Sequence, residues 1–221
     1  MKSEDYIKEN ELANMPKSIS FEILKIIIPK TETCICKIEC IDGGHGTGLF
    51  CNIPYGWNIL KALMTNNHVL SKDDISIGKK IIFSINNEMI YYEIKIDESR
   101  KNYTNEKYEI TIIELKENHN LEKIQFLDID SQIFKEDPYT IFINKQIYFS
   151  HYPKGKQMEY SMGLIKNIDE DNYTIRYLCD SNSGSSGGPI INSANFQLTE
   201  NLKEELKEQK IIILEHFLKN R

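Results

Sequence analysis

The chain has 221 residues, 40% hydrophobic and 27% charged, with a net charge of −6. That apolar content is enough for one large or two small globular domains with a real core. An acidic balance with lysines spread evenly along the chain argues against nucleic acid as the main partner, and no stretch approaches a membrane span.

Residues 1–17 are polar and unpatterned and are read as a frayed or helical leader. They lack the apolar core of a signal peptide, so a cytoplasmic location is expected. From Ser18 to about residue 118 come short runs that read as strands: "FEILKIII", "CICKIEC", "GTGLFCNI", "ALMTNNHVL", "KIIFSI", "IYYEIKI" and "YEITIIEL". Turn-forming clusters separate them, among them "DGGHG", "SKDDISIG" and "DESRKNYTNEK". Many short strands at close spacing point to a β-barrel or sandwich.

Five cysteines are present, and Cys34, Cys36 and Cys40 share parity with Ile38, which on a strand places all four on one face. Thiolates on one strand face without His or Cys pairs elsewhere make a poor tetrahedral metal site, so no metal is expected. Buried reduced thiols acting as small hydrophobes are.

Residues 119–137 have weaker alternation and read as a linker. A second β-rich unit follows over 138–198, with "TIFINKQIYFS", "YSMGLIKNI", "NYTIRYLC" and "GGPIINS". The tail, 199–221, is charged and free of Gly and Pro, with a Thr able to cap a helix. A helix is expected from about Glu200 to Leu218, with Leu202, Leu206, Ile213 and Phe217 as its apolar stripe; "KIIILEHF" could instead be a strand.

Three windows carry candidate chemistry. In "LMTNNHVL" an apolar strand end runs into His68; in "YEITIIEL" Glu109 starts a β-branched run; and "CDSNSGSSGGPI" sets Ser186 among small residues. Such residues allow a tight turn in which backbone N–H groups can converge on a developing oxyanion, as acyl transfer requires. The order His, acid, Ser is that of the chymotrypsin-type triad and unlike the subtilisin or α/β-hydrolase orders.

On these residues the sequence resembles the trypsin-like, chymotrypsin-fold serine peptidases, in the non-zymogen branch that includes glutamyl endopeptidases and high-temperature-requirement proteases. "GTGLF" is similar to that branch's glycine-rich strand start, "MTNNHVL" to its histidine motif and "GSSGGPI" to its nucleophile motif. The resemblance implies two antiparallel β-barrels with the active site between them and no cofactor. Ser186 would be the nucleophile, His68 the base, Glu109 the orienting acid, and the N–H groups of Gly184 and Ser186 the oxyanion hole, with a peptide or protein as substrate. Asp180, six residues before Ser186, stands where relatives that cleave after basic residues read the side chain. Ser181 stands where glutamate-cleaving relatives do.

Two departures bear on activity. Glu109 replaces the family's Asp, and the extra methylene moves the carboxylate unless the backbone compensates. Only 35 residues follow Ser186 (221 − 186), without a clear strand pair for the substrate wall. The second barrel is therefore expected to be incomplete. A truncated gene product, a diverged active enzyme and an inert protease-fold peptide-binding module all fit that pattern. Oligomeric state is not legible in the sequence.

Overall fold

The structure, a computed structural model, describes residue 18 and residues 21–55, 57–87, 89–116, 121–129, 138–169, 174–192 and 210–211. Its first element departs from expectation. "FEILKIII" opens a helix, α1 (Phe21–Cys34), not a strand. A continuous apolar run does not distinguish a strand from a packed helix by periodicity. Here the helix buries Ile27, and the Thr31 hydroxyl donates back to the Ile27 carbonyl at 3.0 Å. Because α1 runs through Cys34, that thiol packs with Ile27 and Ile35, whereas Cys36 and Ile38 face a different cluster. All five thiols are free. Burial pushes Cys34 up to about 12 and Cys179 up to about 11, so neither is poised as a thiolate at neutral pH.

The first unit is an antiparallel sheet of β1 (Ile35–Glu39), β2 (His45–Tyr55), β3 (Asn58–Thr65), β4 (Lys80–Ile85), β5 (Ile90–Lys95), β6 (Asn102–Asn105) and β7 (Ile110–Glu114). Its pairing order is β5-β4-β1-β2-β3-β7-β6. β6 lies inside "DESRKNYTNEK", which reads as a turn because an exposed, polar edge strand carries no apolar alternation. Its residues nevertheless pair in register with β7, Thr104 opposite Thr111.

The central strands are buried on both faces. Phe50, Leu63 and Ile113 point into one cluster with Ile38, Val69 and Phe83, while Leu49, Cys51, Ala62, Met64 and Ile112 point into another with Tyr148, Tyr152 and Ile191 of the second unit. This is why these strands read as near-continuous apolar runs. Each large side chain so buried contributes about 1.5–3 kcal/mol of transfer free energy. The first cluster is pinned by Phe50, whose ring lies 5.4 Å from that of Phe83.

The second unit contains a short helix, α2 (Pro138–Phe142), then β9 (Gln146–His151), β10 (Glu159–Asp169), β11 (Thr174–Leu178) and β12 (Ile190–Asn192), paired in the order β11-β10-β9-β12. The expected strand "TIFINKQIYFS" is thus helical at its start, and its strand begins at Gln146. The unit's own cluster is small, with Phe142, Ile147, Ile165 and Ile168 buried.

The two units share one sheet. The expected linker carries β8 (Leu127–Ile129), which pairs in parallel with β2, and Leu127 and Ile129 are buried between the units. β8 also pairs in parallel with β13 (Lys210–Ile211), itself antiparallel to β12. The two described residues of the expected C-terminal helix are therefore strand, in line with the alternative reading of "KIIILEHF": a bridging position supplies ladder partners that an isolated helix would lack. The rest of 193–221, where a substrate-wall strand pair would fall, lies outside the described residues. The mostly β, two-unit architecture is that of the chymotrypsin-like double barrel.

Candidate active site

"SNSGSSGGP" folds as two tight turns that share Ser185. The Ser185 N–H donates to the Asn182 carbonyl at 3.0 Å, and the Gly188 N–H to the Ser185 carbonyl at 3.0 Å. Gly184 (φ +85°) and Gly187 (φ +88°) occupy the third position of each turn, where type II geometry requires positive φ. A side chain at Gly187 would also place its Cβ 2.0 Å from the Thr47 carbonyl oxygen. Ser186 sits at the second position of the later turn. The N–H groups of Gly184 and Ser186 find no backbone acceptor among the described residues, whereas the Ser185 N–H between them is used inside the turn.

Thr47 on β2 holds this loop. Its N–H donates to the Ser186 carbonyl at 2.8 Å and its hydroxyl to the Gly184 carbonyl at 2.8 Å. The same hydroxyl accepts from the Tyr152 N–H at 3.0 Å, and the Thr65 hydroxyl donates to the Thr47 carbonyl at 2.7 Å. Thr47 is fully buried, so these bonds form away from water, where an unmade one costs about 1–3 kcal/mol. Through Thr47 and Thr65 the loop is seated against the end of β3 that leads into His68.

His68 lies in a helical turn after β3, in which the N–H groups of Val69 and Leu70 both reach the Asn66 carbonyl. Val69 is buried, and its Cγ1 occupies the space a side chain on Gly46 would need, at 2.3 Å. The turn is thereby anchored while the His68 ring stays exposed. Its Nδ1 is 2.8 Å from Glu109 Oε2, and the His68 N–H donates to the same oxygen at 3.3 Å.

The Glu109 carboxylate meets the His68 ring from an unusual backbone position. Glu109 has φ +50°, a left-handed conformation that costs a non-glycine residue on the order of 1 kcal/mol or more. The turn before it, closed by the Glu109 N–H on the Glu106 carbonyl at 3.2 Å, and the Asn66 side-chain amide donating to the Glu109 carbonyl at 2.9 Å, hold it there.

The structure therefore brings His68 and Glu109 together and seats Ser186 beside the strand end that carries His68. No hydrogen bond joins His68 to Ser186 among the described residues. Catalytic hydrogen bonds in an unliganded site are often long and tighten when substrate binds. Asp180 and Ser181 are exposed, on the segment between β11 and the first turn. Two residues of the site have no role legible in the sequence. Thr47 sits in a "GTG" that stands out for its glycines, and His151, in "FSHYPKG", is buried behind the loop with its Nδ1 2.6 Å from Ser185 Oγ.

Residues 46–198 match the trypsin-like peptidase domain family. The chain belongs to that family. Among solved structures, it is similar to the serine endoprotease from Yersinia pestis, at 13% identity and a TM-score of 0.56, with 93% of this chain and 65% of that one covered. It thus spans about two thirds of that protease's length. It is also similar to the Rv3671c protease of M. tuberculosis in its inactive form, at 15% identity and a TM-score of 0.54, with 93% and 96% covered. Deg5 matches at 16% identity and a TM-score of 0.53, with 85% and 83% covered. These likenesses establish a serine-protease fold. No curated protein sequence is significantly similar to the chain. Among the described residues no helix is long and apolar enough to cross a membrane.

Proposed function

We propose that this trypsin-like domain is a serine endopeptidase. The observation that carries the reading is the 2.8 Å contact between His68 Nδ1 and Glu109 Oε2, which leaves Nε2 of the ring for a nucleophile. The Ser186 hydroxyl gives its proton to His68 Nε2 as Oγ bonds to the scissile carbonyl carbon. Glu109 fixes the ring orientation and stabilises the imidazolium. The carbonyl oxygen takes up negative charge against the N–H groups of Gly184 and Ser186. On collapse the C–N bond breaks, His68 returns the proton to the leaving amine, and water, activated by the same ring, releases the acyl group from Ser186.

An exposed carboxylate at Asp180 suits a basic substrate side chain, and Ser181 offers a neutral hydrogen-bonding alternative. The five free thiols fit a reducing compartment, so a cytoplasmic location is part of this reading. The lack of a hydrogen bond between His68 and Ser186 favours a second reading, an inert domain that binds peptides without cleaving them. A fluorophosphonate reagent separates the two. The first reading expects a covalent adduct mapped to Ser186 in the wild type and none in Ser186→Ala. The second expects no adduct on either folded protein.

A further inference from the structure

His151 is a buried titratable group with no part in the acyl-transfer steps. It ends β9, is 1% exposed, and stacks on Phe149 with ring centroids 4.5 Å apart. Its Nδ1 lies 2.6 Å from Ser185 Oγ and its Nε2 3.2 Å from Ser161 Oγ on β10. Ser185 is itself 4% exposed, and its Oγ lies 3.0 Å from the backbone nitrogen of Asn182.

The donor inventory sets the direction of this chain. A backbone N–H can only donate, so Ser185 Oγ accepts from Asn182. The buried hydroxyl proton of Ser185 then needs an acceptor, and among the described residues the one in reach is His151 Nδ1. Nδ1 is accordingly unprotonated, the ring proton is on Nε2, and Nε2–H donates to Ser161. The link reaches Ser185, the residue whose own N–H closes the first turn and whose carbonyl closes the second.

We propose that neutral His151, in its Nε2–H tautomer, is a positioning residue that locks Ser185 so that the flanking N–H groups of Gly184 and Ser186 stay presented to a developing oxyanion. The proposal rests on the serine-peptidase reading. Thr47 grips the loop from the first unit through the Gly184 and Ser186 carbonyls; His151 grips the residue between them from the second. Unless both hold, the two turns can exchange with loop conformations that spend those N–H groups internally.

The charges acting on the ring are Glu159, its ladder partner on β10, and Asp180, ahead of the first turn. Both favour the imidazolium, but burial outweighs them and holds His151 below the ordinary histidine range. The folded chain thus resists protonating His151. Its contribution is present above the unfolded value of about 6.5 and is lost as pH falls through the depressed folded value. A protonated Nδ1 becomes a donor, and the Ser185 hydroxyl loses its acceptor.

The test compares His151→Leu, which removes the acceptor, with His151→Asn, whose side-chain oxygen can replace Nδ1, using p-nitrophenyl acetate hydrolysis by the full chain. His151→Leu is expected to lower kcat by about 10²-fold with KM changed by less than about twofold, and His151→Asn to recover all but about fivefold. The acid limb of kcat should fall with two protons in the wild type and with one in His151→Asn. Equal losses in the two variants, or an unchanged acid limb, overturn the proposal. Should His151→Leu fail to fold, ring ¹⁵N spectra of the Ser186→Ala chain decide instead. Nε2–H at pH 7, with a tautomer mixture on adding Ser185→Ala, supports the lock; Nδ1–H or an imidazolium refutes it. Fluorophosphonate labelling of the wild type tells the two failures apart. No adduct sinks the peptidase reading, whereas an adduct with equal losses in Leu and Asn sinks the role of His151 alone.

Discussion

Ser186→Ala and His68→Ala are each expected to lower kcat for an ester substrate by about 10⁶-fold, and the double variant to lower it little further. The serine hydroxyl is a weak nucleophile until the imidazole takes its proton, and without the hydroxyl the imidazole has no proton to take. Removing either abolishes the same step, so the effects do not add. Residual turnover above water should come from the N–H groups of Gly184 and Ser186, which neither substitution removes. Rates for the two single variants and the double check this; additive losses would mean that the two side chains do not act as a unit.

Glu109 gives the second large effect. Glu109→Gln keeps the size of the side chain but replaces the carboxylate with an amide, which neither stabilises imidazolium nor reliably selects the right tautomer. A fall of about 10⁴-fold in kcat is expected. Glu109→Asp separates charge from reach. The backbone at Glu109 is already turned to φ +50° so that the longer side chain meets His68 at 2.8 Å. Shortening it withdraws the oxygen by about one carbon–carbon bond, roughly 1.5 Å, and a misplacement of that order costs about 10²-fold. Steady-state kcat of the three proteins is the measurement. A gain on Glu109→Asp would mean that the left-handed turn does not adapt the site to glutamate.

The fold class and the family were legible in the sequence, for identifiable reasons. His68, Glu109 and Ser186 each fall at a break between an apolar run and a polar turn, and their chain order suggested one reaction. The small residues around Ser186 pointed to a tight turn; that Gly184 and Gly187 both take positive φ, at the third positions of two successive turns, came from the structure. Other features were hidden by long-range context. Nothing local says that "FEILKIII" is a helix; that comes from Ile27 packing against strands far along the chain. β6 looks like a loop because its partner β7 supplies the apolar side of the pairing. The left-handed backbone at Glu109 is set by an amide from Asn66, 43 residues away. Thr47 and His151 look ordinary in sequence, and their importance comes from what lies opposite them across 137 and 34 residues.

Similarity to the Yersinia protease also bears on the short second unit. That fold accommodates 93% of the chain, and β13 closes onto β12 and β8. Among the described residues, β9 and β12, the strands beside the glycine-serine loop, are paired with each other and in place. The first unit, with its double-faced core, is the scaffold; the second contributes β9, and through it His151 and Tyr152, to the seat of Ser186.

In the proposed reaction Ser186 becomes covalently acylated with His68 as its base. The most direct measurement is rapid-quench mass spectrometry of the full chain mixed with p-nitrophenyl acetate. An acetyl adduct on Ser186 is expected that forms before steady state and decays with turnover, and that is missing in Ser186→Ala and in His68→Ala. Steady p-nitrophenol release with no adduct, or an adduct that persists in His68→Ala, would contradict it.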